Sequence, residues 1–155
     1  MKVMDLINLM SYDMGDEDEF HNALYPSEHT GSWTTDRAVK EHLKAGVPKE
    51  KLVVGIPFYG KGTKAYRGGR SFSKVYPVSD EYVQCWDEKA MVPYLADKEG
   101  NFVFGYEDVR SAEIKCDYIL ENGLRGGMYW DYASNYPSCA LSNVLSVKLL
   151  GRPSK

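Results

Sequence analysis

The chain is short of cysteine and has no long apolar run, and both deficits narrow what it can be. Cys85, Cys116 and Cys139 are its three thiols, and they lie far apart. No C-x-x-C pair and no Cys/His set at zinc-ligand spacing occurs, so neither a metal nor a cofactor is expected. An odd number of cysteines argues weakly against a complete disulfide framework. His21, His29 and His42 are scattered and read as surface or loop residues. No stretch approaches the roughly 20 apolar residues of a membrane helix, so no membrane association is expected. Met1 leads directly into what reads as a buried strand, not into a secretory signal, and localisation cannot be read. The 19 Lys and Arg face 22 Asp and Glu for a formal net charge of -3. No basic cluster stands out, so nucleic acid is not an expected partner. No G-x-G-x-x-G follows a strand and opens a helix, which leaves a nucleotide-binding fold without support.

What the chain does have is size, apolar content and rings. Its 155 residues suffice for one domain with a core, and 43% of them are hydrophobic. Aromatic residues reach 13%, with 12 Tyr, 5 Phe and 3 Trp. Rings that also hydrogen-bond suit sugars, which carry apolar faces and hydroxyl edges, although aromatics also fill cores.

Periodicity gives a β-α-β-insertion-α-β-α order. Leu6, Ile7, Leu9 and Met10 form a nearly continuous apolar run, as in a parallel strand covered on both faces. An acidic, solvated loop follows at Asp16–Glu19. Thr34 or Thr35 caps a helix to about Ala45, with Ala38, Val39, His42 and Leu43 on one face and Gly46 as its stop. Leu52–Ile56 is a second buried strand. Residues 61–106 are rich in Gly, Tyr and Ser, and Asn101–Phe104 alternates, so this region reads as an inserted lobe of small strands and loops. Asp108 caps a helix to about Asn122, facing inward through Ile114, Tyr118 and Ile119. Gly126–Trp130 is a third strand, and a last helix presents Leu141, Val144, Leu145 and Leu149. Strands alternating with helices imply a parallel α/β sheet, either doubly wound or part of an eight-stranded barrel. The strands end in Tyr12-Asp13, Phe58-Tyr59 and Trp130-Asp131, and barrels build their sites at such ends.

Three motifs in order then resemble one family. Met10-Ser11-Tyr12-Asp13 is similar to the M-x-Y-D motif on the sixth strand of family 18 glycoside hydrolases, the chitinase-like barrels. Gly55-Ile56-Pro57-Phe58-Tyr59-Gly60 resembles the seventh-strand G-x-P-x-Y-G segment, and Gly126–Trp130 the eighth-strand G-G-x-x-x-W segment. Trp86-Asp87, Val92-Pro93-Tyr94 and Phe104–Asp108 resemble patterns of the lobe inserted between strands seven and eight. The resemblance runs from about Met4 to Leu150. It implies the C-terminal part of a TIM (β/α)8 barrel, with residues 1–60 and 107–155 as the partial barrel. Residues 61–106 would be a small α+β insertion between the second and third strands present.

The resemblance also implies chemistry. Such enzymes use substrate assistance in place of a protein nucleophile. A glutamic acid protonates the glycosidic oxygen while the sugar's own N-acetyl carbonyl attacks the anomeric carbon. Tyr12 would donate to the acetamido oxygen and Asp13 would accept from the distorted sugar. Trp130 would floor the cleavage subsite, Met10 would line the acetamido methyl, and Tyr59 and Trp86 are further candidates for sugar contact. Each residue also has a bland use: Tyr12 as a rim tyrosine, Asp13 as a cap, Trp130 as core. Where the family often has Arg after the Y-G pair, this chain has Lys61, which cannot make a planar two-pronged contact with a carboxylate. No role is carried over to it.

The expected partners are chitin or N-acetylglucosamine oligosaccharides. A non-catalytic, lectin-like binder and an endo-β-N-acetylglucosaminidase remain alternatives. The fourth-strand D-x-x-D-x-D-x-E motif that carries the proton donor does not occur. Asp13, Asp16 and Asp18 match its spacing, but Phe20 stands where the Glu belongs. Three strands, against the roughly 250 residues of a whole barrel, predict a fragment of a longer protein or a chain that needs a partner. That partner would be the missing N-terminal barrel half or a second copy.

Overall fold

A computed structural model describes residues 3–151. The first layer is a parallel sheet of β1 (Ile7–Leu9), β2 (Leu52–Pro57) and, at the far end of the chain, the strand Gly126–Trp130. Between the first two runs helix α1 (Thr35–Lys44), started by the Thr34 hydroxyl, which accepts from the Arg37 N–H at 3.3 Å. After β2 come β3 (Lys61–Gly62), the single turn α2 (Phe72–Val75), β4 (Val83–Asp87), β5 (Val92–Ala96) and β6 (Phe102–Gly105). These four strands form an antiparallel sheet in the order β3-β6-β5-β4. Helix α3 (Val109–Glu121) returns the chain to the parallel sheet as β7 (Gly126–Trp130), followed by α4 (Tyr132–Asn135) and α5 (Ala140–Leu150). The start of α3 is doubly fixed. The Asp108 carboxylate accepts from the Ser111 N–H at 2.7 Å, and the Ser111 hydroxyl accepts from the Asp108 N–H at 2.9 Å.

The parallel sheet has β2 at its centre. Leu9 lies opposite Val54, and Pro57 lies opposite Trp130, so all three strands end along one edge. The helices cover one face. Leu9, Leu52 and Val54 pack with Val39, Tyr118 and Ile119, while Ile56 and Phe58 pack with Cys116, Leu141 and Leu145. A separate cluster of Val75, Leu95, Val103, Phe104 and Tyr106 serves the antiparallel sheet.

Two expectations need correction. The run Leu6–Met10 was expected to be covered on both faces, yet Leu9 is its only buried member and Met10 is 71% exposed. The cause is position: β1 is an outer strand and packs against the helices on one side only, whereas β2 is buried throughout. His21 was expected at the surface or in a loop: it does lie in the loop after β1, but wholly buried and not at the surface. His29 is half-buried, stacked on Phe102 and edge-on to Phe20.

Candidate functional site

The site grows from the edge where the parallel strands end. Ser11 carries the direction of β1 past its last paired residue. Its hydroxyl donates to the Gly55 carbonyl at 2.9 Å and accepts from the Gly55 N–H at 3.1 Å. That stitch sets Tyr12 and Asp13 beside the end of β2. Gly55 is needed there, because a Cβ would fall 2.4 Å from the Leu9 carbonyl oxygen and 2.8 Å from Cε1 of Tyr12. Asp13 adopts φ 60, a left-handed conformation that Asp tolerates better than most residues.

One oxygen of Asp13 collects the surrounding donors. Oδ1 accepts from the Tyr59 hydroxyl at 2.8 Å and lies 3.1 Å from the Lys61 ammonium. Nδ1 of His21 lies 3.5 Å from the same oxygen and 3.4 Å from the Asp13 backbone N–H. With its proton on Nδ1 the ring donates to the carboxylate, and with the proton on Nε2 it accepts from the amide. Hydrogen bonding from His21, followed by Tyr59 and Lys61, holds the Asp13 carboxyl well below the usual carboxylate range, against its partial burial. Burial pushes the His21 imidazolium pKa down, opposed by Asp13. Burial and then Asp13 raise both the Tyr12 and the Tyr59 phenols, so each keeps its proton at neutral pH. The two rings meet edge to face at 6.2 Å. Lys61 therefore does reach Asp13, as a point charge through one contact.

Trp130 closes the opposite end of the edge. Its carbonyl accepts from the Phe58 N–H at 2.7 Å, and its side chain is 59% exposed. Below it, Tyr129 stacks on buried Phe58 with centroids 4.4 Å apart. Asp131 caps α4 by accepting from the Ser134 N–H at 3.0 Å. Met10 stands exposed just before Ser11. Trp86 is differently placed: it lies on β4, and the Arg110 guanidinium sits 3.7 Å over its ring. Its buried indole N–H has no hydrogen-bond partner. Among the described residues, no ring contact or hydrogen bond joins Trp86 to Tyr12, Asp13 or Tyr59.

Sequence reasoning missed the buried group behind this site. Lys115 on α3 touches the Glu107 carboxylate and donates to the Asn22 carbonyl at 2.6 Å. Glu107 also accepts from the Asn22 amide at 2.8 Å and the Ser111 hydroxyl at 2.5 Å. Burial pulls the Lys115 ammonium pKa down, while contact with the Glu107 carboxylate favours the charged pair by simple Coulomb attraction. The only sequence cue was the spacing that sets Lys115 on the inward face of α3 with Ala112, Cys116 and Ile119. No set of three or more His, Cys, Asp or Glu that could hold a metal occurs among the described residues.

A sizeable hollow lies away from Tyr12. It measures about 750 Å³ and runs along the free side of β7, between Asn8, Val53 and Met128 and the α5 residues Leu145 and Leu149. The strand ends define the site better, because the polar and aromatic side chains converge there.

The family model for Glycosyl hydrolases family 18 matches residues 1–135, and the chain belongs to that family. Endochitinase 1 of Metarhizium robertsii is 31% identical over 156 residues, covering 86% of this chain and 37% of the relative. Among solved structures, a family 18 N-acetylglucosaminidase from Paenibacillus barengoltzii matches at 29% identity with a TM-score of 0.79, over 93% of this chain and 48% of its own. Chitinase ChiA74 from Bacillus thuringiensis matches at 26% identity and TM-score 0.81, over 99% of this chain and 33% of its own. The fold is thus of the TIM-barrel type, and the chain spans less than half of each of these relatives.

Proposed function

We propose that this chain forms one wall of the substrate cleft of a glycosidase that cleaves β-1,4-linked N-acetylglucosamine polymers. In this reading the parallel strands are the sixth to eighth of a (β/α)8 barrel, residues 61–106 form the inserted lobe, and the proton donor is carried outside these 155 residues. The observation that carries it is the convergence of Tyr12, Asp13, Tyr59 and Trp130 on the edge where three parallel strands end. An ionised Asp13 receives its protein contacts on Oδ1, which leaves Oδ2 to accept from a sugar. Tyr12, protonated at neutral pH, donates to the acetamido oxygen and so orients it for attack on the anomeric carbon. Trp130 offers an exposed ring to the sugar's C–H face, and Met10 lines the acetamido methyl. The names of the relatives, an endochitinase and an N-acetylglucosaminidase, fit a β-linked N-acetylglucosamine substrate.

The test is a calorimetric titration of the chain with chitotetraose, alone and as Trp130→Ala. Saturable heat that Trp130→Ala abolishes supports the wall. Sustained turnover heat would place the acid within these residues, contrary to the proposal. Binding indifferent to Trp130→Ala removes the floor assignment.

A further inference from the structure

His21 belongs to none of the three motifs, and it is wholly buried beside Asp13. The chain around it is fixed on both sides. The Met14 N–H donates to the His21 carbonyl at 3.1 Å, and Gly15 lets the turn close, since a Cβ there would fall 2.7 Å from the Phe20 carbonyl oxygen. On the other side Asn22 is pinned. Its amide donates to the Tyr106 carbonyl at 3.0 Å and to Glu107 at 2.8 Å, and its carbonyl accepts from the Lys115 ammonium at 2.6 Å. The Tyr59 ring lies beside the imidazole, with centroids 5.4 Å apart.

The ring is placed, so the open question is where its proton sits. Burial, helped by the charges of Lys115 and Lys61, pushes the imidazolium pKa down against Asp13. One ring proton therefore remains at neutral pH. Nε2 is buried and has no hydrogen-bond partner, and this holds for either tautomer. The choice is decided at Nδ1. With the proton on Nε2, Nδ1 accepts from the Asp13 backbone N–H at 3.4 Å. With the proton on Nδ1, the ring faces Oδ1 of Asp13 at 3.5 Å. The distances are alike, but the partners are not. A hydrogen bond to an ionised acceptor is roughly twice as strong as one between neutral groups. Asp13 is exposed, so water can serve the amide that is given up.

We propose that His21 is a positioning residue: as the Nδ1–H tautomer it donates to Oδ1 of Asp13 and, with Tyr59 and Lys61, completes a three-donor grip on that oxygen. The grip fixes one orientation of the carboxylate and leaves Oδ2 to the sugar. That consequence rests on the proposed cleft. The grip itself is a property of this chain and can be read without a sugar.

The first experiment locates the proton by long-range proton–nitrogen correlation spectra of the isotope-labelled chain near neutral pH, with His21→Leu identifying the His21 signals. The proton is expected on Nδ1 in the intact chain and on Nε2 in Asp13→Gly, which suits the φ of 60 at that position and removes the carboxylate. A proton on Nε2 in the intact chain, or one that stays on Nδ1 in Asp13→Gly, overturns the proposal. The second experiment is calorimetry with chitotetraose. His21→Leu keeps an apolar side chain without a donor, while His21→Asn keeps an amide N–H where Nδ1 stands. His21→Leu is expected to weaken binding about tenfold, and His21→Asn to recover most of the loss. His21→Leu binding as tightly as the parent overturns the proposal, and so does His21→Asn binding as weakly as His21→Leu. If the parent binds no chitotetraose, the cleft reading fails, and the spectra alone decide whether His21 holds Asp13.

Discussion

Replacing Lys115 with Met removes the counter-charge of a carboxylate that has almost no access to water. In the intact protein Glu107 is held by the Lys115 ammonium, the Asn22 amide and the Ser111 hydroxyl. The variant keeps the last two and loses the only charge. Breaking one side of a buried pair commonly costs about 3–5 kcal/mol. A ceiling follows from acid–base chemistry, because the orphaned carboxyl can escape by taking a proton. At pH 7 that costs roughly 4 kcal/mol, starting from an ordinary Glu pKa of about 4.3. The destabilisation should therefore sit near 3–4 kcal/mol at pH 7, or roughly 6–16 °C in melting temperature. It should also shrink with acid. The folded variant binds a proton at Glu107 that the unfolded chain binds only below about pH 4.3, so lowering the pH toward 5 favours the folded variant relative to the parent. Urea unfolding followed by circular dichroism at pH 7 and pH 5 measures both quantities. A loss under about 1 kcal/mol at pH 7, or a loss unchanged at pH 5, would refute the account of Glu107 as a charge held by Lys115. The same variant links structure to site, because Asn22, which Lys115 and Glu107 hold, immediately follows His21 behind Asp13.

Gly55→Ala is expected to destabilise by about 1–3 kcal/mol, since its Cβ collides with the backbone of β1 as well as with Tyr12. Thermal melts check this, and a variant as stable as the parent would show that β1 can move aside at no cost. His21 is kept neutral by burial, so its folded pKa lies below its unfolded value near 6.5. Below that pH the unfolded chain binds a proton that the folded chain refuses. Stability should fall as the pH drops from about 7 to 5.5, and His21→Gln should flatten that dependence. Urea midpoints at the two pH values decide it, and an unaltered slope in His21→Gln assigns the effect elsewhere.

Much of the framework was legible because its signals are local. Thr34 and Asp108 announce their helices through the caps they form, and Gly126–Trp130 reads as a strand from its composition and its neighbours. That Tyr12, Asp13, Tyr59 and Trp130 would stand at the strand ends was legible for a different reason: they directly follow or close apolar strands in the sequence. What stayed hidden depends on contacts distant in sequence. His21 looks like any loop histidine until the turn that follows Asp13 folds it under Tyr59. Lys115 bonds to Asn22, 93 residues away, and no spacing rule reaches that far. Lys61 was set aside because lysine lacks the planar fork of arginine, yet a single charged contact to Asp13 needs no fork. The short helix α4 was missed because it begins directly after β7, with Asp131 ending one element and capping the next.

The position of the site at the strand ends also dictates how the chain should behave on its own. The sheet order β1-β2-β7 leaves β1 and β7 each paired on one side only among the described residues. Along β7 that free side opens onto the 750 Å³ hollow, with Tyr129 and Trp130 exposed at its end. An unpaired parallel edge flanked by apolar surface is a template for another strand. The face of the sheet away from the helices adds Leu6 and Met10 as further uncovered apolar groups. Both features favour association, either with chain segments that complete a barrel or with a second copy, and both lower the stability of the lone monomer. Sedimentation and melting of the chain across a concentration series test this directly. Self-association with a concentration-dependent melting temperature is expected. A monomer that unfolds sharply and reversibly at one temperature at every concentration would mean that three strands and their helices suffice. The open edges would then carry no energetic penalty, and nothing in them would call for a partner.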